Sequence, residues 1–339
     1  MYRCIELAKL AAGNVAPNPM VGAVLVNDER IIGEGYHKKF GEPHAEINCI
    51  NSVEEKNKEL IDKSTLYVSL EPCSHFGRTP PCTDLIIKSK IPKVVIGCKD
   101  VYKEVDGTGI KKLQEAGVEV VTGVLEKECV ELNQRFFTFH QKQRPYIILK
   151  WAESANEKIG DSGKERTLIS NEFSNRLVHK WRSEEAAILI GTNTALQDDP
   201  SLTTRLWKGN NPTRLVIDVN LRLPSYLKIF NREVKTIIFN KLKHEEDENL
   251  FYYKIEKENL LTQIVNALYQ MQIQSVLVEG GAKLIQSFID AALWDETRVI
   301  RNEQLVINNG LDAPKLKELV LQKREKYFTD TITYFLRSF

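Results

Sequence analysis

The chain has 339 residues, enough for two domains of ordinary size, and 42% are hydrophobic, enough to give each a core. Lys and Arg number 47 against 46 Asp and Glu, a balance that argues against nucleic acid or a membrane surface as the main partner. No apolar run approaches the roughly 18 residues of a membrane span, and the first residues lack a signal-peptide pattern, so a cytoplasmic protein is expected.

Residues 1–12 predict a helix, because Cys4, Leu7, Ala8 and Ala11 recur at helical spacing and Gly13-Asn14 stops the pattern. Residues 21–26 and 30–35 predict a hairpin around Asn27-Asp28. His44 is expected to begin the next helix, so that Glu46 can share its cleft. Residues 66–70 predict a strand that delivers Cys73 beyond its C-terminal end, and Cys82 opens a helix running through Ile87. Residues 94–97 and 118–122 predict two more strands. Strands alternating with helices predict a three-layer α/β sandwich.

The polar and basic run 134–144, followed by Pro145, marks a boundary between a domain at 1–143 and another at 144–339. In the second half, residues 146–151, 186–190, 214–219, 236–239 and 275–278 predict strands, and 171–182 and 260–271 predict helices. The charge-rich run 241–259 predicts a loop with one short strand at 251–255. Residues 331–339 alternate as an edge strand would.

The chemistry concentrates in Pro43-His44-Ala45-Glu46 and in Glu71-Pro72-Cys73-Ser74-His75-Phe76-Gly77-Arg78-Thr79-Pro80-Pro81-Cys82. His44, Cys73 and Cys82 offer zinc one imidazole and two thiolates. A structural zinc site normally takes four protein ligands, whereas a catalytic one keeps a position for water. The metal lowers the pKa of that water, and Glu46 is placed to move its proton to a leaving amine. His-x-Glu followed by Pro-Cys and a second Cys is the zinc deaminase signature. His75 could complete a closed site, but its place two residues after Cys73 in a Gly/Pro-rich loop points to a substrate contact. Cys4, Cys49, Cys98 and Cys129 sit singly in apolar patterns as small core residues, with no disulfide framework.

In the second half, Glu279-Gly280-Gly281 follows an apolar strand and opens a helix, a turn that allows backbone approach to phosphate. Alone it reads better as an ordinary tight turn, and Gly-x-Gly-x-x-Gly is absent.

Two further features carry a resemblance. Eight residues separate Cys73 and Cys82, where nucleoside and tRNA deaminases usually have two. With Ala16-Pro17-Asn18-Pro19-Met20-Val21-Gly22 and Gly35-Tyr36-His37, this half resembles the deaminase half of the RibD family, the bifunctional deaminase–reductases of riboflavin biosynthesis. Asp198-Asp199-Pro200-Ser201-Leu202-Thr203-Thr204-Arg205 and Pro145-Tyr146-Ile147-Ile148-Leu149-Lys150 resemble that family's reductase half.

The resemblance implies a cytidine-deaminase-like three-layer α/β/α domain followed by a dihydrofolate-reductase-like α/β domain. It implies zinc, one per chain, at His44, Cys73 and Cys82, with Glu46 as proton carrier and Asn18, His37 and His75 at the deaminase substrate. It implies NADPH at Glu153, Leu168, Thr194, Asp198 and Gly281. Lys150, Arg166, Arg182, Leu202, Arg205 and Glu279 would line the second substrate, the cations turned to its phosphate and ribose. The implied partner is a small phosphorylated pyrimidine, with neither nucleic acid nor membrane, and a homo-oligomer is expected. Asn156 and Glu157 stand where the family usually has Asp-Gly, and Leu168 where a tryptophan is common. These changes are expected to weaken cofactor binding without abolishing hydride transfer. One alternative is a nucleoside or tRNA deaminase. Another is an active deaminase joined to a degenerate, non-catalytic ligand-binding half.

Overall fold

A computed structural model describes residues 1–76, 80–102, 106–161, 167–256, 258–317 and 319–338. The chain divides into two compact units, Met1–Gln143 and Arg144–Phe339.

The first unit runs α1 (Tyr2–Lys9), β1 (Gly22–Asn27), β2 (Arg30–Tyr36), α2 (Ala45–Asn51), β3 (Thr65–Leu70), α3 (Cys82–Lys88), β4 (Lys93–Cys98), α4 (Thr108–Glu115), β5 (Glu119–Val121), α5 (Glu126–Leu132) and α6 (Gln134–Lys142). The sheet order is β2-β1-β3-β4-β5. The first three strands pair antiparallel and the last three parallel. Period-two alternation sends the strands' apolar residues to both faces. Ala23, Leu25, Leu66 and Val68 pack with Ala45 and Cys49 of α2, Ile86 of α3, and Ile110 and Leu113 of α4. On the opposite face, Val24 and Tyr67 pack with Cys4 and Leu7 of α1, while at the ends of β3 and β4 Leu70 and Cys98 meet Ile5 and Ala8 of α1, Cys129 and Leu132 of α5, and Phe136 and Phe137 of α6. The expected three layers form. The polar run 134–144 is not an extended linker: it contains α6, whose Phe136, Phe137 and Phe139 are buried.

The second unit runs β6 (Tyr146–Ser154), β7 (Lys158–Asp161), α7 (Glu172–Glu184), β8 (Ala187–Gly191), α8 (Thr192–Asp198), β9 (Thr213–Ile217), β10 (Thr236–Asn240), β11 (Glu245–Asp247), β12 (Leu250–Lys254), α9 (Leu260–Gln270), β13 (Ser275–Val278), α10 (Ala282–Asp290), β14 (Glu296–Asn302), β15 (Gly310–Asp312), β16 (Leu319–Tyr327) and β17 (Asp330–Arg337). The large sheet has the order β11-β12-β10-β9-β8-β13-β6-β14-β17-β16, and β15 pairs with β7 separately. From β12 to β14 all neighbours are parallel. Parallel strands are covered on both faces, which explains their near-continuous apolar sequences. Ile264 and Leu268 of α9 and Ile285 and Phe288 of α10 cover one face. Val178 and Trp181 of α7 and Ala195 of α8 pack on the other.

The last strand differs from expectation. β17 is not at the edge: it lies antiparallel between β14 and β16, and β16 is the edge. β16 carries Gln322-Lys323-Arg324-Glu325-Lys326 and is largely exposed. Charges protect an exposed edge from pairing with other chains, and they also hide the strand from hydrophobic periodicity.

Candidate active sites

In the first unit, two helix starts bring the expected metal ligands together. His44 is the N-cap of α2, in extended conformation, and Cys82 is the first residue of α3. Cys73 follows β3 and closes onto α3, its sulfur accepting the Cys82 N–H at 3.4 Å while Thr83 N–H donates to the Cys73 carbonyl at 3.2 Å. His44 Nδ1 lies 3.5 Å from Cys73 Sγ and 3.4 Å from Cys82 Sγ. One ligand atom from each residue falls within 4.8 Å of the other two. The donor set, one nitrogen and two sulfurs converging, fits a zinc ion that keeps a coordination position for water. The Cys73 thiol is held well below the usual range by Cys82, against its burial, with His44 assisting. One thiol thus already favours the thiolate that a metal needs.

Glu46 sits in the first turn of α2 and is 3% exposed. Burial pushes its carboxyl up to about 7, the charge of Cys73 adds to this, and His44 opposes it. A bound cation would draw that value down again, because it favours the charged form.

His37 and Asn18 also reach this corner. His37 is 2% exposed, and its ring stands edge-on to His44 with centroids 5.3 Å apart. His37 Nδ1 donates to the Pro43 carbonyl at 3.2 Å, since a carbonyl only accepts, which leaves Nε2 to accept from Asn18 Nδ2 at 3.1 Å. Burial lowers its pKa, in keeping with a neutral ring. His37 therefore holds the backbone one residue before the His44 ligand. His75 leaves its buried Nδ1 without a hydrogen-bond partner, and its ring lies 6.3 Å from that of Tyr102.

One residue of the motif had no assigned role. Glu71 is buried, and its carboxylate accepts the backbone N–H groups of Asp100, Gly107, Gly109 and Ile110 at 3.0–3.3 Å. It locks the entry to α4 beside Pro72 and Cys73. The sequence signal was an acid directly before Pro-Cys, which cannot be told from a surface charge without the fold. Residues 77–79 of the motif lie outside the described residues.

In the second unit, β13 ends at Val278, Glu279 follows it, and α10 begins after Gly281, whose φ of +38° is a value that side chains disfavour. Gly281 and Thr194 line a cavity of ≈ 890 Å³ with Asn193, Arg222, Asn259 and Lys283. Beside this turn, Arg182 of α7 grips Glu279 with two parallel bonds, Nε to Oε1 at 2.9 Å and Nη2 to Oε2 at 2.7 Å. Lys150 of β6 stands 3.7 Å from Glu279 Oε2. Burial pushes the Glu279 carboxyl up, but Arg182 and Lys150 outweigh it and hold the value at about 2. Arg205 Nη1 donates to Thr203 Oγ1 at 2.8 Å, and Arg182 Nη1 reaches the Thr203 carbonyl at 3.4 Å.

The other expected residues fall elsewhere. Leu202 is 2% exposed and packs with Ile188, Ile190 and Ala195, so it belongs to the core rather than to an open wall. Glu153 lies opposite Arg301 in the β6–β14 register and pairs with it at 2.6 Å, while also accepting from Trp151 Nε1. That carboxylate is satisfied within the fold. Leu168 is 75% exposed, and Asp198 is the last residue of α8. Arg166 lies outside the described residues. Asn156 exchanges two hydrogen bonds with the backbone of Ile307. Glu157 has φ +59°, the left-handed conformation that suits the glycine it replaces.

A His-Cys-Cys donor set that fits zinc, beside a buried carboxylate on a three-layer α/β unit, is the arrangement of the zinc deaminase class; a cavity at a strand-to-helix turn of a parallel sheet suits a cofactor-dependent α/β reductase. Comparison with known proteins agrees in both halves. Residues 1–98 match the cytidine and deoxycytidylate deaminase zinc-binding region, and residues 145–302 match the RibD C-terminal domain. The chain is 40% identical to riboflavin biosynthesis protein RibD of Aquifex aeolicus (strain VF5), over 87% of this chain and 83% of that protein. It is 35% identical to the RibD of Escherichia coli (strain K12), over 92% and 88%. A Thermotoga maritima crystal structure described as a diaminohydroxyphosphoribosylaminopyrimidine deaminase/5-amino-6-(5-phosphoribosylamino)uracil reductase superimposes with a TM-score of 0.91, at 36% identity, covering 99% of this chain and 97% of that one. An Acinetobacter baumannii RibD gives 0.90 at 29% identity, covering 100% and 98%.

The chain belongs to the RibD family, the bifunctional riboflavin-biosynthesis enzymes that join a zinc-binding deaminase domain to a reductase domain of the NADPH-dependent type. A non-catalytic C-terminal half is not favoured. No helix among the described residues is long and apolar enough to cross a membrane.

Proposed function

We propose that the unit at 1–143 deaminates a 2,5-diamino-6-ribosylamino-4(3H)-pyrimidinone 5′-phosphate, and that the unit at 144–339 reduces the ribosyl group of the product to ribityl. The convergence of His44, Cys73 and Cys82 beside buried Glu46 carries this proposal. Zinc held by these three would acidify a water molecule and so make hydroxide available near neutral pH. Glu46 moves the proton: its carboxylate takes it from water and returns it to the amino nitrogen that departs as ammonia. His37, neutral and hydrogen-bonded to Pro43, orients the ligand-bearing turn. His75 Nδ1 is a polar atom awaiting a partner, which suits a substrate contact.

In the second unit, NADPH bound beside Thr194 and Gly281 would supply the hydride for C1′. The ≈ 890 Å³ cavity at Thr194 and Gly281 has the size of a cofactor site. Lys150 and Arg182 hold Glu279, and Arg182 and Arg205 both reach Thr203, so cationic side chains gather beside the strand-to-helix turn. A guanidinium can hold a phosphate with two parallel charged hydrogen bonds, which suits the substrate's phosphate. The phosphorylated pyrimidine is the small-molecule partner, and the enzyme acts in the cytoplasm as a homo-oligomer. Product mass read after incubating the protein with the diaminopyrimidine and NADPH tests both steps. Exchange of amino for oxo, then gain of two hydrogens, is expected. Deamination without any NADPH-dependent gain would leave the second half as a binding module.

A further inference from the structure

We propose that His179 is a positioning residue for the reductase: its neutral ring accepts the backbone N–H of Arg205 and thereby sets the place of the phosphate-binding arginine. This rests on the assignment of Arg205 to the substrate phosphate.

His179 and Arg182 lie three residues apart on α7 and so share a face. Both reach the segment before Arg205. Arg182 Nη1 meets the Thr203 carbonyl at 3.4 Å, and His179 Nδ1 meets the Arg205 N–H at 2.9 Å. A backbone N–H donates, so Nδ1 is the acceptor and the ring proton sits on Nε2. The ring is 3% exposed. Its burial, with Arg182 and Arg205 close by, lowers its pKa to about 4, which keeps the acceptor lone pair available at neutral pH.

The chemistry of the place calls for such a residue. Arg182 and Lys150 already hold the buried carboxylate of Glu279 close by, so a charged partner for the Arg205 backbone would add another charge to a buried cluster. An acid would bring a second buried carboxylate near Glu279, and a lysine cannot accept. A neutral imidazole supplies an acceptor without charge. Once the main chain of Arg205 is fixed, its side chain folds back onto Thr203 Oγ1 at 2.8 Å, and its cation stays beside Arg182.

The test uses the full-length protein with three single variants, Arg205→Ala, His179→Leu and His179→Asn, measured for KM of deaminated substrate and for Kd of NADPH. Asn places a neutral acceptor near the position of Nδ1; Leu fills the space and cannot accept. Arg205→Ala should raise the substrate KM by at least a hundredfold. His179→Leu should raise it about tenfold, the worth of one hydrogen bond, with NADPH affinity unchanged. His179→Asn should recover most of that loss. An unchanged KM in Arg205→Ala overturns the phosphate assignment itself. A large effect there with none in His179→Leu overturns only the role of His179. Loss of NADPH binding in both His179 variants, or an Asn variant as impaired as Leu, also overturns it, because the acceptor would then not be what matters.

Discussion

Arg182 and Glu279 meet as a parallel fork, with bonds of 2.9 and 2.7 Å between side chains that are both almost entirely out of water. Breaking a buried pair leaves the survivor's charge uncompensated, which typically costs about 3–5 kcal/mol. Glu279→Gln should therefore destabilise the second unit by about that amount. All four tryptophans, Trp151, Trp181, Trp207 and Trp294, belong to this unit, so tryptophan fluorescence in urea reports on it alone.

The same pair has a pH signature. The Glu279 carboxyl is held at about 2 in the folded unit, against an ordinary 4.5. Between those values the unfolded chain binds more protons, so folding loses stability as pH falls. The contribution of Glu279 is complete above pH 4.5 and disappears as pH drops toward 2. Glu279→Gln should flatten this part of the profile. A wild-type and a variant midpoint that fall in parallel from pH 5 to 2.5 would contradict the assignment.

Cys73→Ser removes a soft thiolate from the three-ligand set. The variant should lose zinc and deaminase activity while still reducing predeaminated substrate, because the reductase residues lie in a separate compact unit. Elemental analysis of the purified variant decides it; full zinc occupancy would rule Cys73 out as a ligand.

Glu46→Gln keeps the shape of the side chain and removes its ability to carry a proton. Deamination should fall by roughly 10²–10⁴-fold with zinc retained. Near-normal turnover at full zinc content would assign the proton to another group.

Gly109 has no room for a side chain: a Cβ there would stand 2.1 Å from the carbonyl oxygen of Pro72 and 3.2 Å from Glu71 Oε1. Gly109→Ala must push away the backbone that carries Cys73. Zinc should be lost to a chelator at a lower concentration than in wild type, while the tryptophan-reported unfolding of the second unit stays put. Equal chelator resistance in the two proteins would mean that the turn absorbs the extra methyl.

The residues that chemistry constrains were the readable ones. His44, Cys73 and Cys82 stood out because zinc needs their particular atoms, and the structure brings those atoms together. Strands β6, β8, β9, β10 and β13 were readable because they are buried on both faces and apolar throughout. Strand β16 was not, because its exposed edge is written in charges. Glu153 shows the opposite difficulty. As a residue type it could serve a cofactor, and only the strand register shows Arg301 opposite it. His179 and Glu71 act through backbone N–H groups far along the chain, a relationship that no spacing within the sequence encodes.

The order of strands in the large sheet also governs when the protein can become itself. Strand β6 is the first made in its unit, yet its two neighbours, β13 and β14, begin only at Ser275 and Glu296. Strand β17, made last, closes between β14 and β16. A ribosome delivering this chain thus releases a first unit whose own strands are all present by residue 143, able to collect its metal while translation continues. The second unit must keep an apolar strand waiting through more than a hundred residues of synthesis, a delay that long-range parallel pairing makes slow and prone to aggregation. Expression at high rate should therefore fail first in the reductase half, leaving soluble deaminase attached to a misfolded partner.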